Sequence, residues 1–116
     1  MKYDDIDWHE IFELNLNNEE ILGKHIGHFL EWAFKKGLAG MYHLDEEEHE
    51  VKAVIEGTMS GMDFLLTHCD GKLTDEEFNL KGNLFAQKYY NYYLELYETM
   101  TLDRVYAMLD EKFYEE

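Results

Sequence analysis

Along most of the chain the hydrophobic positions recur at three and four residues, the period that lines one face of an α-helix. Leu22, Ile26, Phe29, Leu30, Ala33 and Phe34 keep that spacing, with Ile21 to one side, and Gly37 stops the run after Lys35 and Lys36. A second stripe, Val51, Val54, Ile55, Thr58, Met59, Met62, Leu65 and Leu66, stays in phase through Gly57 and Gly61. Two such glycines each cost about 1 kcal/mol against alanine in a helix interior. A break at Gly57 and Thr58 is therefore favoured over one helix across 46–68.

The longest pattern predicts a helix from Asp75 to about Met100. At roughly 100° per residue, Phe78, Gly82, Phe85, Ala86, Tyr89, Tyr93, Leu96 and Met100 share one broad stripe, and Leu80, Leu84 and Leu94 lie opposite. A helix apolar on two faces is packed from both sides, which places this one at the centre. Gly82, on the main stripe, would admit a close neighbour. Thr101 opens a last helix carrying Val105, Met108, Leu109 and Phe113.

The remaining segments carry weaker patterns. Asp7 to Glu10 is spaced as the cap of a short helix with Trp8, Ile11, Phe12 and Leu16, and NLNNEE supplies a restart with Asn17 or Asn18 as its cap. Residues 37–45, GLAGMYHLD, read as a loop whose Leu38, Met41 and Leu44 tuck against the core. A helix follows from near Asp45, where DEEEHE puts negative charge at the positive end of the dipole. Neither strand alternation nor an internal repeat stands out. The sequence thus predicts an all-α, single-domain bundle over 1–116, of about five helices around a long central one.

The stretch LLTHCDGKLTDEEF, 65–78, resembles a calcium-binding EF-hand loop and can be tested position by position. With Gly71 at the sixth position, Asp70, Thr74 and Glu77 fall at liganding places, but Leu66 and His68 occupy the first and third. A hard cation needs oxygen at both. The same residues form a corner instead: Asp70 and Gly71 stop one helix, and Thr74 to Glu77 is a capping box that opens the next.

Composition narrows the function. In 116 residues there are 26 acidic and 10 basic side chains, a formal charge of −16, with 46% hydrophobic residues and no proline. The chain is apolar enough to fold, and its field repels nucleic-acid phosphates and anionic membranes while favouring a basic protein partner. One cysteine, Cys69, forms no internal disulfide and fits a reducing compartment. The opening MKYDDIDWHE has no signal-peptide pattern, and no window has the length of a membrane span, so a cytoplasmic location is expected.

Candidate chemistry is sparse. His25 and His28 stand one turn apart with Glu31 three further on, a row that can ligate zinc or iron from one helix. His43, His49, His68 and Cys69 are dispersed along the chain and complete no obvious ligand set. Cys69 beside His68 is no catalytic pair, because sequence neighbours diverge on a helix. No phosphate loop or nucleophile motif is present. The expectation is a non-catalytic protein without a cofactor. Within YYNYYLELY, Tyr89 and Tyr93 fall on the core stripe, while Tyr90 lies off it and is an aromatic suited to an interface.

HIGHFLEWAFKKGL at 25–38, DFLLTHCDGKLTDEEFNLKGNLFAQKYYNYYLELY at 63–97 and the opening YDDIDWH together resemble a family of small acidic bacterial proteins associated with toxin-immunity loci. The resemblance implies an immunity protein that binds a cognate, cytoplasm-acting toxin and occludes its active site. A toxin that attacks nucleic acid has a basic cleft, into which an acidic inhibitor is steered. Asp45, Glu46, Glu47, Glu48 and Glu50, with Tyr90, are the candidate partner-binding residues. A metal-binding protein or metal-dependent enzyme built on His25 and His28 is the competing expectation, and an acidic adaptor or nucleic-acid mimic is a third.

Overall fold

The computed structural model describes residues 1–9 and 23–115. The expected short helix through Ile11, Phe12 and Leu16 and the caps at Asn17 and Asn18 lie outside them. In chain order the elements are β1 (Lys2–Asp5), a 3-10 turn (Ile6–His9), α1 (Lys24–Lys35), α2 (Met41–Glu46), α3 (Glu48–Glu56), α4 (Gly61–His68), β2 (Lys72–Thr74), a second 3-10 turn (Asp75–Glu77), α5 (Leu80–Thr99) and α6 (Leu102–Glu115). The fold is a compact all-α bundle with a long central helix, and the described residues hold six helices.

α1 is the hub. Its periodic residues Ile26, Phe29, Leu30, Ala33 and Phe34 are all buried, joined by Trp32. At roughly 1.5–3 kcal/mol for each large apolar side chain removed from water, this face outweighs any local preference of the helix. α4 crosses α1 where Gly61 meets the Gly27 backbone, so closely that a Cβ on Gly61 would overlap the Gly27 carbonyl oxygen. Phe29 then packs edge-on to Tyr90 of α5, ring centroids 5.0 Å apart, and Trp32 meets Phe113 of α6 at 5.7 Å.

The break expected after α3 is present, with Gly57 in the left-handed region at φ +88° and Ser60 capping α4 by accepting the Asp63 amide. Three other expectations are corrected. Residues 41–46 are helical, and Met41, 73% exposed, points outward with Leu44, leaving His43 as the buried residue of α2. The Thr74–Glu77 capping box exists, but it closes only a 3-10 turn. The chain extends at Phe78, which buries its ring, and Asn79 caps α5 by accepting the Gly82 amide at 2.8 Å. Lastly, Leu80 and Leu84 are exposed, so the early part of α5 is covered on one face only.

A two-stranded antiparallel ribbon completes the molecule, pairing Lys2 with Thr74, Asp4 with Leu73 and Asp5 with Lys72 across a bulge. Strands of four and three residues are too short, and KYDD too charged, to show a period of two. The ribbon carries Asp4 into the core beside α1 and α5. Among the described residues no helix is long and apolar enough to cross a membrane.

Candidate metal centre

Four elements meet around one buried imidazole. Gly40 donates its amide to the Glu77 carbonyl at 3.0 Å, and Ala39 bridges Phe78, which pins the start of α2 against the second 3-10 turn. His43, one turn into α2, therefore faces Glu77. On the other side α4 ends at His68, and Asp70 and Gly71 adopt left-handed φ values of +55° and +74° that fold the chain back into β2. That reversal leaves Cys69 pointing inward, buried beside His43.

The geometry is tight. His43 Nε2 lies 3.1 Å from Glu77 Oε1 and 4.0 Å from Cys69 Sγ. Its other nitrogen, Nδ1, is 2.6 Å from Glu47 Oε1. The second oxygen of Glu77 accepts both the Thr74 amide and, at 2.8 Å, the Thr74 hydroxyl, so the capping box also aims the carboxylate. The ring of Phe64 stands edge-on to His43 at 5.1 Å and against Phe34 at 5.0 Å, giving the site an apolar wall.

Electrostatics follow from this enclosure. Burial disfavours a charged His43 ring, but the hydrogen bonds and charges of Glu77 and Glu47 overcome it and raise its pKa. Burial, with Glu77 and Glu47 adding negative charge, pushes the Cys69 thiol far up. The cluster is thus a hydrogen-bonded Glu47–His43–Glu77 ladder beside the Cys69 thiol. Every buried side-chain polar atom among the described residues has a partner.

The same three atoms are a ligand set. Among the described residues, His43, Cys69 and Glu77 bring one donor atom each to within 4.8 Å of one another. A tetrahedral zinc with bonds of about 2.0–2.3 Å holds nitrogen, oxygen and sulfur donors about 3.3–3.6 Å apart. The observed 3.1 and 4.0 Å bracket that spacing. Glu47 on Nδ1 supplies the outer carboxylate that commonly orients a ligating histidine and sets its tautomer.

Of the residues singled out from sequence for a partner contact, Glu47 alone joins the centre. Asp45, Glu46 and Glu48 are exposed on α2 and α3, Glu50 is half-buried, and Glu47 is engaged with His43. Tyr90 is no surface aromatic. It is 4% exposed and donates its hydroxyl to Asp4 Oδ2 at 2.6 Å. Its place off the predicted stripe is filled by β1, which the sequence pattern had not revealed.

His25 and His28 divide between two networks. His25 Nε2 is 2.9 Å from Asp4 Oδ2, while His28 Nδ1 is 3.3 Å from the Tyr106 hydroxyl and 3.9 Å from Glu31. Burial chiefly lowers the His28 pKa, with Glu31 opposing it. His43 and Cys69, which seemed dispersed, are the pair that converges. The sequence held two faint signals of this: His43 and Glu47 are one helical turn apart, and Glu77 closes a capping box.

Residues 2–114 match a family described as "Domain of unknown function (DUF7832)". The chain belongs to the DUF7832 family. No curated protein and no solved structure matches it.

Proposed function

We propose that this protein binds a divalent transition metal ion of the zinc class through His43 Nε2, Cys69 Sγ and Glu77 Oε1. The observation that carries the reading is the convergence of three different donor atoms in a buried site, with Glu47 on the far nitrogen of His43. Mixed nitrogen, sulfur and oxygen donors suit zinc and its neighbours better than calcium or magnesium, which prefer oxygen alone. Binding exchanges the Nε2 proton and the thiol proton for the ion, since a metal ligates thiolate and neutral imidazole. Enclosure of the donors suits holding an ion more than turning over a substrate.

Loading the purified protein with zinc, removing excess and measuring metal by elemental analysis tests the reading. One equivalent per chain is expected, and Cys69→Ser or His43→Gln should abolish it. Cobalt loading should add a thiolate charge-transfer absorption that Cys69→Ser removes. Folded protein that retains no metal above those variants defeats the reading.

A second reading concerns the surface. Asp45, Glu46 and Glu48 are exposed on α2 and α3 beside the exposed Met41, Tyr42 and Leu44, and the chain carries −16 overall. This combination favours an acidic, partly apolar contact for a basic protein. The resemblance to immunity proteins makes a cognate toxin the expected partner. Co-purification with products of neighbouring genes tests it: a basic, one-to-one partner lost on Asp45→Lys with Glu46→Lys supports the contact. Recovery of the chain alone from every such pairing counts against it.

A further inference from the structure

α2 is fastened to the molecule by very little. It is six residues long, and His43 is the one side chain it buries. Met41, Tyr42, Leu44, Asp45 and Glu46 all stand in solvent. A helix shorter than about 12–15 residues is marginal by itself in water, so α2 owes its order to the groups that hold it.

Those groups converge on one ring. At the start of α2 Gly40 donates its amide to the Glu77 carbonyl at 3.0 Å, beside the bridge between Ala39 and Phe78. At its end the Glu47 amide returns to the His43 carbonyl at 2.8 Å, and the Glu47 carboxylate meets the His43 ring. Between these ends the His43 imidazole is the anchor, with Nε2 3.1 Å from Glu77 Oε1 and 4.0 Å from Cys69 Sγ. The exposed Tyr42 packs edge-on against the same imidazole at 5.4 Å. The atom that would ligate a metal therefore also sets how α2 and its outer face stand on the body.

We infer that a zinc-class ion at His43, Cys69 and Glu77 staples α2 in place, and so orders the acidic and apolar face that α2 offers to a basic protein. The inference rests on the metal-binding reading for the ion and on the surface reading for the partner, and adds the coupling between them. Coordination would join three elements through their donor atoms: His43 from α2, Cys69 from the end of α4 and Glu77 from the second 3-10 turn. Any opening that lifts α2 away takes His43 Nε2 out of the ligand set, so the bound ion opposes that opening. A partner that docks on Met41, Tyr42 and Asp45 then has less ordering left to impose, and the two bind cooperatively.

Hydrogen–deuterium exchange of the full chain, read by NMR without metal and with zinc, tests the staple. The Leu44 and Glu47 amides, bonded to the Gly40 and His43 carbonyls, report on α2. Without metal they should exchange ahead of the amides of α1, the helix with the buried face, as expected of a segment with few buried contacts. An ion that binds only the closed form, at a free concentration about 100 times its dissociation constant, suppresses the opening about 100-fold. The Leu44 and Glu47 amides should slow by that factor.

Exchange of α2 in step with α1 before zinc is added overturns the inference, because α2 would then open only with the whole fold. So does an unchanged rate once one equivalent of zinc is bound. Cys69→Ser removes a ligand from another element while keeping Glu77 on His43, and the effect of zinc on α2 should vanish with it. Slowing that persists in Cys69→Ser would put the ion elsewhere and also overturn the staple. Protein that takes up no zinc defeats the metal-binding reading itself, a result distinct from full uptake that leaves α2 unaffected.

Discussion

Tyr90 and Asp4, at positions far apart in the sequence, share a buried hydrogen bond of 2.6 Å between the phenol and the carboxylate. Asp4 Oδ2 is also 2.9 Å from His25 Nε2, so one oxygen ties β1 to both α1 and α5. Burial, reinforced by the Asp4 charge, holds the Tyr90 hydroxyl protonated well beyond its usual range. Hydrogen bonds to charged groups contribute about 1.5–3 kcal/mol. Tyr90→Phe should therefore lower unfolding stability by about that amount in a urea titration. An unchanged midpoint would mean that the phenol is not tied into the core.

Glu47→Gln probes the outer carboxylate of the metal centre. An amide still reaches His43 Nδ1 but polarises the ring less, and loss of such partners commonly weakens metal binding by about 10–100-fold. Competition with a calibrated chelator should show that loss with one equivalent still bound at saturation. Equal affinity would leave Glu47 as a mere helix-end residue.

Two glycines with different duties make a paired test. At Gly61 an added Cβ would overlap the Gly27 carbonyl and come within 2.9 Å of Glu31 Cβ, so α1 and α4 must part. Gly61→Ala is expected to cost about 3 kcal/mol or more, at the upper end of overpacking. At Gly57, φ is +88° and nothing lies within 4 Å. Gly57→Ala then carries only the left-handed backbone penalty, about 1–2 kcal/mol. Thermal melts of the two variants should fall in that order.

Acid should loosen the ribbon through Asp5. Burial alone would raise its pKa, but the Lys2 ammonium at 2.7 Å, the Asp7 amide and the Lys72 charge bring it below the ordinary 3.8. A carboxyl with a lowered folded pKa stabilises the fold at pH values above its unfolded pKa and loses that contribution as pH falls through the folded one. Below about pH 4, the wild-type stability should therefore fall more steeply than that of Asp5→Asn. Parallel curves would show that the Lys2 contact adds nothing.

The helical architecture was legible because burial and period coincide: Ile26, Phe29, Leu30, Ala33 and Phe34 are apolar in sequence and buried in the fold. Gly57 was equally readable, since a left-handed turn needs a residue without a Cβ. The metal centre was not legible, for a reason of the same kind. Its residues are polar, so the hydrophobic pattern assigns them to the surface, and only the tertiary approach of α2, α4 and the second 3-10 turn shows that His43, Cys69 and Glu77 are inside. The missed ribbon had the further effect of hiding what covers Tyr90. At Glu77 a correct local reading, the capping box, concealed a second duty, because the same carboxylate serves Thr74 and His43.

The pairing of Lys2–Asp5 with Lys72–Thr74 has a consequence for synthesis. At about 5–20 residues per second, the ribosome delivers the partner strand several seconds after the first one. Throughout that interval KYDD waits as an unpaired edge in a crowded cell. Its two aspartates and lysine keep it hydrated and unattractive to other strands. Thus the feature that made the strand hard to recognise also protects the nascent chain until its closing partner arrives.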